Sequence, residues 1–241
     1  MSEDTISVIL PTYNRFAFVC NAIRSIQAQT YTNIEIIVVN DGSTEPEYYT
    51  HDWKGVIILH LDTNTKKLFG HACAGYVRNQ GILRAKGTYI AFCDDDDSWL
   101  PRKLELQMEA MRTSGCAMSS TEGLIGKGMY NPTKHYAKYN SEKNYGILQY
   151  IFQLNQSNLL QKGFPDIWDM KFMKVHNCMI TSSVLIKKTI LDTIQNMRPL
   201  KNGKEDYDCW LRALKHTDSI YIHTPCVYYD EDHAYGQQYD P

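Results

Sequence analysis

Four consecutive aspartates, Asp94 to Asp97, stand directly behind the apolar run Tyr89-Ile90-Ala91-Phe92 and ahead of Ser98-Trp99-Leu100-Pro101. Like charges so close repel by roughly 1 kcal/mol per pair at 4 Å in water, and by more as water is withdrawn. One or two acids would suffice to favour the N-terminus of a following helix. Four acids where a buried strand ends call for a bound cation that offsets the repulsion. Hard carboxylate oxygens suit Mg²⁺ or Mn²⁺, and such an ion keeps waters and is completed by substrate phosphates. A nucleoside diphosphate is the ligand this pattern expects. A second acidic pair, Glu205-Asp206, opens a segment of helical character that runs through Trp210 and Leu214. A carboxylate there can take a proton from an attacking hydroxyl, the plain alternative being acids that cap a helix.

The surrounding pattern says how these groups are positioned. Ile6 to Leu10 reads as a buried strand, Pro11-Thr12-Tyr13-Asn14 as a turn, and Phe16 to Ala28 as a helix with one apolar face. Ile34 to Val39 is a near-continuous apolar strand ending in Asn40-Asp41-Gly42-Ser43, and Val56 to Leu61 is a third strand. His71 to Ala85 reads as a helix closed by Lys86-Gly87, Thr88 to Cys93 as a fourth strand, and Pro101 to Arg112 as a helix. Continuous apolar strands separated by helices imply a mainly parallel, Rossmann-like sheet covered on both faces, an α/β class. Ligands of such sheets bind beyond the carboxyl ends of the strands. That rule gathers Pro11-Thr12-Tyr13, Asn40-Asp41 and Asp94 to Asp97 on one rim.

The second half is less regular. Residues 122–144 read as a loop or mobile insertion, Tyr145 to Leu160 as a helix, and Lys162 to Lys174 shows no period. Cys178 to Ile186 is strand-like, Lys187 to Gln195 helical, and Ile220 to His223 and Val227 to Tyr229 are two short strands. The chain has 241 residues, enough for one sizeable domain, and a formal net charge of −2, which gives no nucleic-acid footprint. Seven scattered cysteines without a CxxC pair predict reduced thiols rather than a zinc site or disulfide framework. The acidic start running straight into a strand is not a secretory signal, and no apolar run has the length of a membrane span. The expectation is a cytoplasmic protein, with a membrane surface as another place to meet an acceptor.

Five motifs occur in order: Leu10 to Arg15, Val39 to Ser43, Val77 to Ile82, Phe92 to Leu104, and Glu205 to Arg212. Together they resemble the motifs of the family-2 inverting glycosyltransferases with the GT-A fold. The resemblance implies a metal-dependent, inverting transfer of a sugar from a UDP- or GDP-sugar to a hydroxyl of a glycan, glycoprotein or glycolipid. It implies that Pro11, Thr12 and Tyr13 bind the nucleotide, with the base stacked on Tyr13, its edge bonded by Asp41, and Arg78 beside it. Asp96 is then the metal ligand, Asp95 reaches the ribose, and Asp94 supports the nucleotide or the ion's water shell. Asp97 and Trp99 read as structural, and the extra acid at position 95 leaves a one-residue shift open. Asp206 is the implied base, Glu205 an acceptor contact, and His233 a C-terminal histidine that meets the metal or diphosphate. Residues 1–121 form the donor half and 122–241 the acceptor half of one domain. Among alternatives, a sugar-phosphate nucleotidyltransferase would carry a glycine-rich signature after the first strand, and a dinucleotide-dependent dehydrogenase G-x-G-x-x-G. Neither is present. A catalytically silent sugar-nucleotide binding module is opposed by intact acids at both positions.

Overall fold

A computed structural model describes residues 4–201 and 203–233. The chain begins with strand β1 (Ile6–Thr12), helix α1 (Phe16–Gln27), β2 (Ile34–Asn40), the short α2 (Glu47–Thr50), and β3 (Val56–His60). It continues with α3 (Thr65–Phe69), α4 (Ala74–Arg84), β4 (Tyr89–Phe92), β5 (Ser98–Trp99) and α5 (Lys103–Ser114). The second half adds β6 (Met118–Gly126), β7 (Ala137–Lys138), a π-helical turn (Tyr139–Lys143), α6 (Tyr145–Leu154), β8 (Ile167–Trp168) and α7 (Met170–Met173). A 3₁₀ turn (Thr181–Ser183), β9 (Leu185–Lys187), α8 (Lys188–Thr193), α9 (Glu205–Ala213) and β10 (Ser219–Asp230) complete it.

The strands share one sheet in the order β3-β2-β1-β4-β9-β6-β10-β5, with β7 on β6 and β8 on β10. From β3 to β4 all pairings are parallel, as the apolar runs predict. Thr12 lies opposite Asn40, and Ile9 opposite Phe92, so the carboxyl ends of β1, β2 and β4 meet on one rim. Beyond β4 the sheet is mixed. β9 is antiparallel to both β4 and β6, while β6 and β10 run parallel through a register shift between Ile222 and Val227.

Side chains alternate between two apolar layers, as the period of a strand requires. Ile9, Ile37, Val39 and Phe92 pack with Val77, Ile82 and Trp210 from α4 and α9. Val8, Leu10, Ile36 and Val38 pack with Val19, Ile23 and Leu104 from α1 and α5. Gly81 lets α4 lie close on β1, since a Cβ there would stand 2.6 Å from Ile9 Cγ2. One turn earlier on the same helix, Arg78 is carried to the rim.

Several expectations need correction. Residues 122–144 are not a loop insertion: their first part belongs to β6, and Glu122 organises the rest. Its buried carboxylate accepts N–H groups from Gly123, Asn140 and Ser141 at 2.8, 2.9 and 2.9 Å. The two strands expected after residue 219 are one strand, β10, bent at the register shift. Residues 181–183 form a 3₁₀ turn rather than continuing a strand. Trp168, in the stretch where the sequence shows no period, is fully buried and stacks on Tyr221 with ring centroids 4.2 Å apart. Asp169 caps α7 by accepting the Phe172 N–H.

Candidate active site

The rim opens into a cavity of about 490 Å³ whose walls include Pro11, Thr12, Tyr13, Asp41, Arg78, Asp94, Asp95, Asp96, Glu205, Asp206 and His233. The nucleotide, metal and base candidates of the five motifs, with His233, therefore lie on one cavity. Parallel register accounts for the first group: β1 and β2 end level at Thr12 and Asn40, and β4, which ends opposite Ile9, is carried on to that level by the acidic turn. Thr12 Oγ1 donates to Asp95 Oδ2 at 2.8 Å, joining the ends of β1 and β4 directly. Asp41 accepts the Thr65 N–H at 2.8 Å and its hydroxyl at 2.6 Å, so α3 fixes the carboxylate orientation.

The acidic turn carries its charge at a cost in solvation. Burial, followed by Asp95 and Asp94, pushes the Asp96 carboxyl up to about 8, with the Arg15 guanidinium acting against them. Burial also raises Asp95, again against Arg15, and holds Asp97 well above the carboxylate range together with Asp96 and Asp94. Two arginines answer this density. Arg15 Nη1 lies 3.0 Å from Asp95 Oδ1 and 2.9 Å from Asp96 Oδ2. Arg78, 7% exposed, is paired with Asp94. Asp97 points away from this group and accepts the Asp230 N–H at 3.2 Å, while Trp99 Nε1 donates to the Ser182 carbonyl at 3.0 Å. Both are structural, as the sequence suggests.

The opposite wall comes from α9 and the 3₁₀ turn. Asp206 Oδ2 accepts the Thr181 hydroxyl at 2.9 Å, and Oδ1 accepts the Tyr207 N–H at 2.6 Å. Glu205 is buried, and its Oε1 accepts the Gly75 N–H at 3.3 Å. A Cβ at Gly75 would stand 2.9 Å from Glu205 Cγ, so glycine permits this approach of α4 to α9. Among the described residues, Glu205 Oε2 and Arg78 Nε are buried without a hydrogen-bond partner. His233 reaches the rim from the end of β10, with Nδ1 2.6 Å from Asp230 Oδ2. Arg15, Tyr139, Asn177, Met179, Ile180, Thr181 and Tyr229 also line the cavity. Arg15 stood within a quoted motif without a role. Tyr139 left no signal, because the π-helical turn was not legible, and Tyr229 lies within an expected strand whose place beside the rim no local pattern encodes. His71 is not among the lining residues, and its Nδ1 lies 3.0 Å from the Phe69 carbonyl.

The donor set is of the right kind for a hard divalent ion: Asp94, Asp95 and Asp96 offer oxygens, and His233 stands nearby. As arranged, no three His, Cys, Asp or Glu side chains among the described residues are positioned to hold a metal ion. The reason is visible in the contacts, since Arg15 stands between Asp95 and Asp96, and Arg78 engages Asp94.

Residues 7–176 match the family model for glycosyl transferase family 2. The chain belongs to that family. An uncharacterized glycosyltransferase of Rickettsia bellii (strain RML369-C) is 40% identical over 126 residues, 50% of this chain and 17% of that protein's length. The chain thus spans about a sixth of that relative. The UDP complex of S. aureus TarS 1-349 is similar in fold, with a TM-score of 0.66 at 17% identity over 94% of this chain and 60% of that one. The mannosyltransferase PcManGT of Pyrobaculum calidifontis, solved with GDP-Man and Mn²⁺, gives 0.62 at 15% identity over 95% of this chain and 57% of that one. The fold of this family-2 chain is GT-A, the α/β class expected from the strand pattern. No helix among the described residues is long and apolar enough to cross a membrane.

Proposed function

We propose that this family-2 chain transfers a sugar from a nucleoside-diphosphate donor, a UDP- or GDP-sugar, to an acceptor hydroxyl of a glycan or glycoconjugate, with inversion. The observation that carries the reading is the two-sided cavity. Nucleotide-type groups line the sheet rim, and the Glu205-Asp206 pair lines the facing wall. The complexes of TarS with UDP and of PcManGT with GDP-Man and Mn²⁺ support a nucleotide donor by analogy of fold.

Tyr13 offers a face for the base, and Asp41, oriented by Thr65, an acceptor for a base-edge N–H. Asp94 and Asp95 lie toward the ribose and diphosphate. Asp96, with Asp95 and His233, would hold Mg²⁺ or Mn²⁺, which supplies positive charge against the departing diphosphate. Asp206 takes the acceptor proton at Oδ1 or Oδ2, and Thr181 and the Tyr207 N–H hold that carboxylate in place. Glu205 contacts the acceptor from beside it. Residues 1–121 then act as the donor half and 122–241 as the acceptor half. A single displacement follows from one base facing the donor, so the product linkage is opposite to the donor's.

A thermal-shift screen of UDP-, GDP- and dTDP-sugars, with and without Mn²⁺, tests the donor class. A donor at a hundred times its Kd stabilises the fold by about 2.7 kcal/mol. A protein that no nucleotide sugar stabilises, at any Mn²⁺ concentration, would sink the reading.

A further inference from the structure

Arg15 lines this cavity, and the proposed reaction gives it no task. Its backbone precedes α1 and is fixed there, with its N–H donating to the Tyr48 hydroxyl at 3.1 Å. Its side chain reaches back across the rim. Nη1 donates to Asp95 Oδ1 at 3.0 Å and to Asp96 Oδ2 at 2.9 Å, and Nη2 donates to the His233 carbonyl at 3.1 Å. Both carboxylates are 8% exposed and the arginine side chain 16%. A guanidinium in this position uses two separate nitrogens on three partners, two in the acidic turn and one in the C-terminal segment. Lysine has no such fork.

Two buried acids side by side require a positive charge, and here the chain supplies it. The same two oxygens are the ones that a divalent ion would take. A guanidinium about 3 Å from both leaves no room for the ion, and two cations at such range repel strongly in a partly dry site. The two occupancies therefore exclude each other. The Arg15 backbone is held, and its side chain is long and only partly enclosed, so it can leave by rotation about its own bonds without moving β1.

We propose that Arg15 is the resident counter-cation of the acidic turn, and that a divalent ion enters the site only by displacing its guanidinium from Asp95 and Asp96. This rests on the reading of the acidic turn as the ion site. Arg15 then sets the affinity for the ion.

The test is direct Mn²⁺ binding to the full chain without nucleotide, followed by the electron paramagnetic resonance signal of free Mn²⁺. Arg15→Gln should bind Mn²⁺ about tenfold more tightly than the wild type, or more. Arg15→Lys keeps one charge on one nitrogen and should fall between them. It also serves if the glutamine variant folds poorly without metal. Melting curves give a second readout, in which Arg15→Gln gains more in Tm from saturating Mn²⁺ than the wild type does. If the wild type binds Mn²⁺ and Arg15→Gln binds it equally or less well, the inference is overturned while the ion site stands. If Arg15→Gln binds Mn²⁺ and the wild type does not at any concentration, no ion displaces Arg15 in the native chain and the inference is overturned. If no variant binds Mn²⁺, Arg15 is not standing in an ion site and the inference fails.

Discussion

The first half of the chain, residues 4–121, and the second half build their walls of the cavity by different means. From β1 to β4 the backbone does the positioning: parallel register sets Thr12 level with Asn40 and Phe92 level with Ile9, so that the chain beyond Phe92 rises to meet Thr12 at Asp95. In the second half, individual buried polar groups do it. Glu122 gathers three backbone N–H groups to place the π-helical turn that carries Tyr139, and Thr181 orients Asp206. Asp97 ties the end of β10 to the acidic turn. A wall built on register tolerates side-chain changes, whereas a wall built on a few buried carboxylates fails when one of them is lost.

The largest effect that could break this comparison is at Asp206. Asp206→Asn keeps the shape but cannot take a proton, so transfer should fall by roughly 10² to 10⁴ while donor affinity is unchanged. Equal losses of rate and donor affinity, measured by initial rates beside calorimetric binding, would place Asp206 on the nucleotide side and erase the division.

Glu122→Ala probes the second wall as structure. Removing a buried carboxylate that satisfies three N–H groups should lower stability by about 2–4 kcal/mol in urea unfolding. A loss of only a few tenths would show that the π-helical turn does not depend on it.

Asp96 sharpens the first wall. Its folded carboxyl is pushed up to about 8, above the unfolded value near 4, so the native state binds the extra proton. In metal-free buffer, stability should fall as pH rises from about 4 to 8. Asp96→Asn should reduce that slope, to which Asp95 and Asp97 also contribute, gain about 1 kcal/mol or more at pH 8, and abolish Mn²⁺-dependent donor binding. A variant that unfolds at lower temperature at pH 8 without metal would contradict this.

The smallest effect is at Lys103, wholly buried, with Nζ 2.7 Å from Gln107 Oε1 and 3.9 Å from the centre of the Trp99 ring. Burial pushes its amine down to about 7, so the unfolded chain binds more protons between pH 7 and about 10.5. Stability should rise with pH across that window. Lys103→Met should remove the rise and change stability at pH 7 by no more than about 1 kcal/mol, by thermal melting.

The same contrast explains what the sequence disclosed. Apolar strands such as Ile34–Asn40 and the turns behind them were legible because each carries its own pattern, and the rule for parallel sheets then gathered Tyr13, Asp41 and Asp94–Asp97. β6 was hidden because Ser119, Ser120, Thr121 and Glu122 are polar yet fully buried, so no apolar period marks the strand. The roles of Glu122 and Arg15 depend on partners distant in the chain, up to 218 residues for Arg15 and His233. No local spacing encodes such contacts. Glu205-Asp206 was found as a motif, but its facing of the rim rests on the close approach of α4 at Gly75.

The central claim is that one base on α9 directs a single attack on a donor held by the sheet rim. The most direct measurement is the anomeric form of the sugar first released when water serves as acceptor, recorded by proton NMR before mutarotation. With an α-linked nucleotide sugar the account predicts the β-anomer first, its appearance slowed in Asp206→Asn. Initial release of the α-anomer would contradict both the single displacement and the role of Asp206.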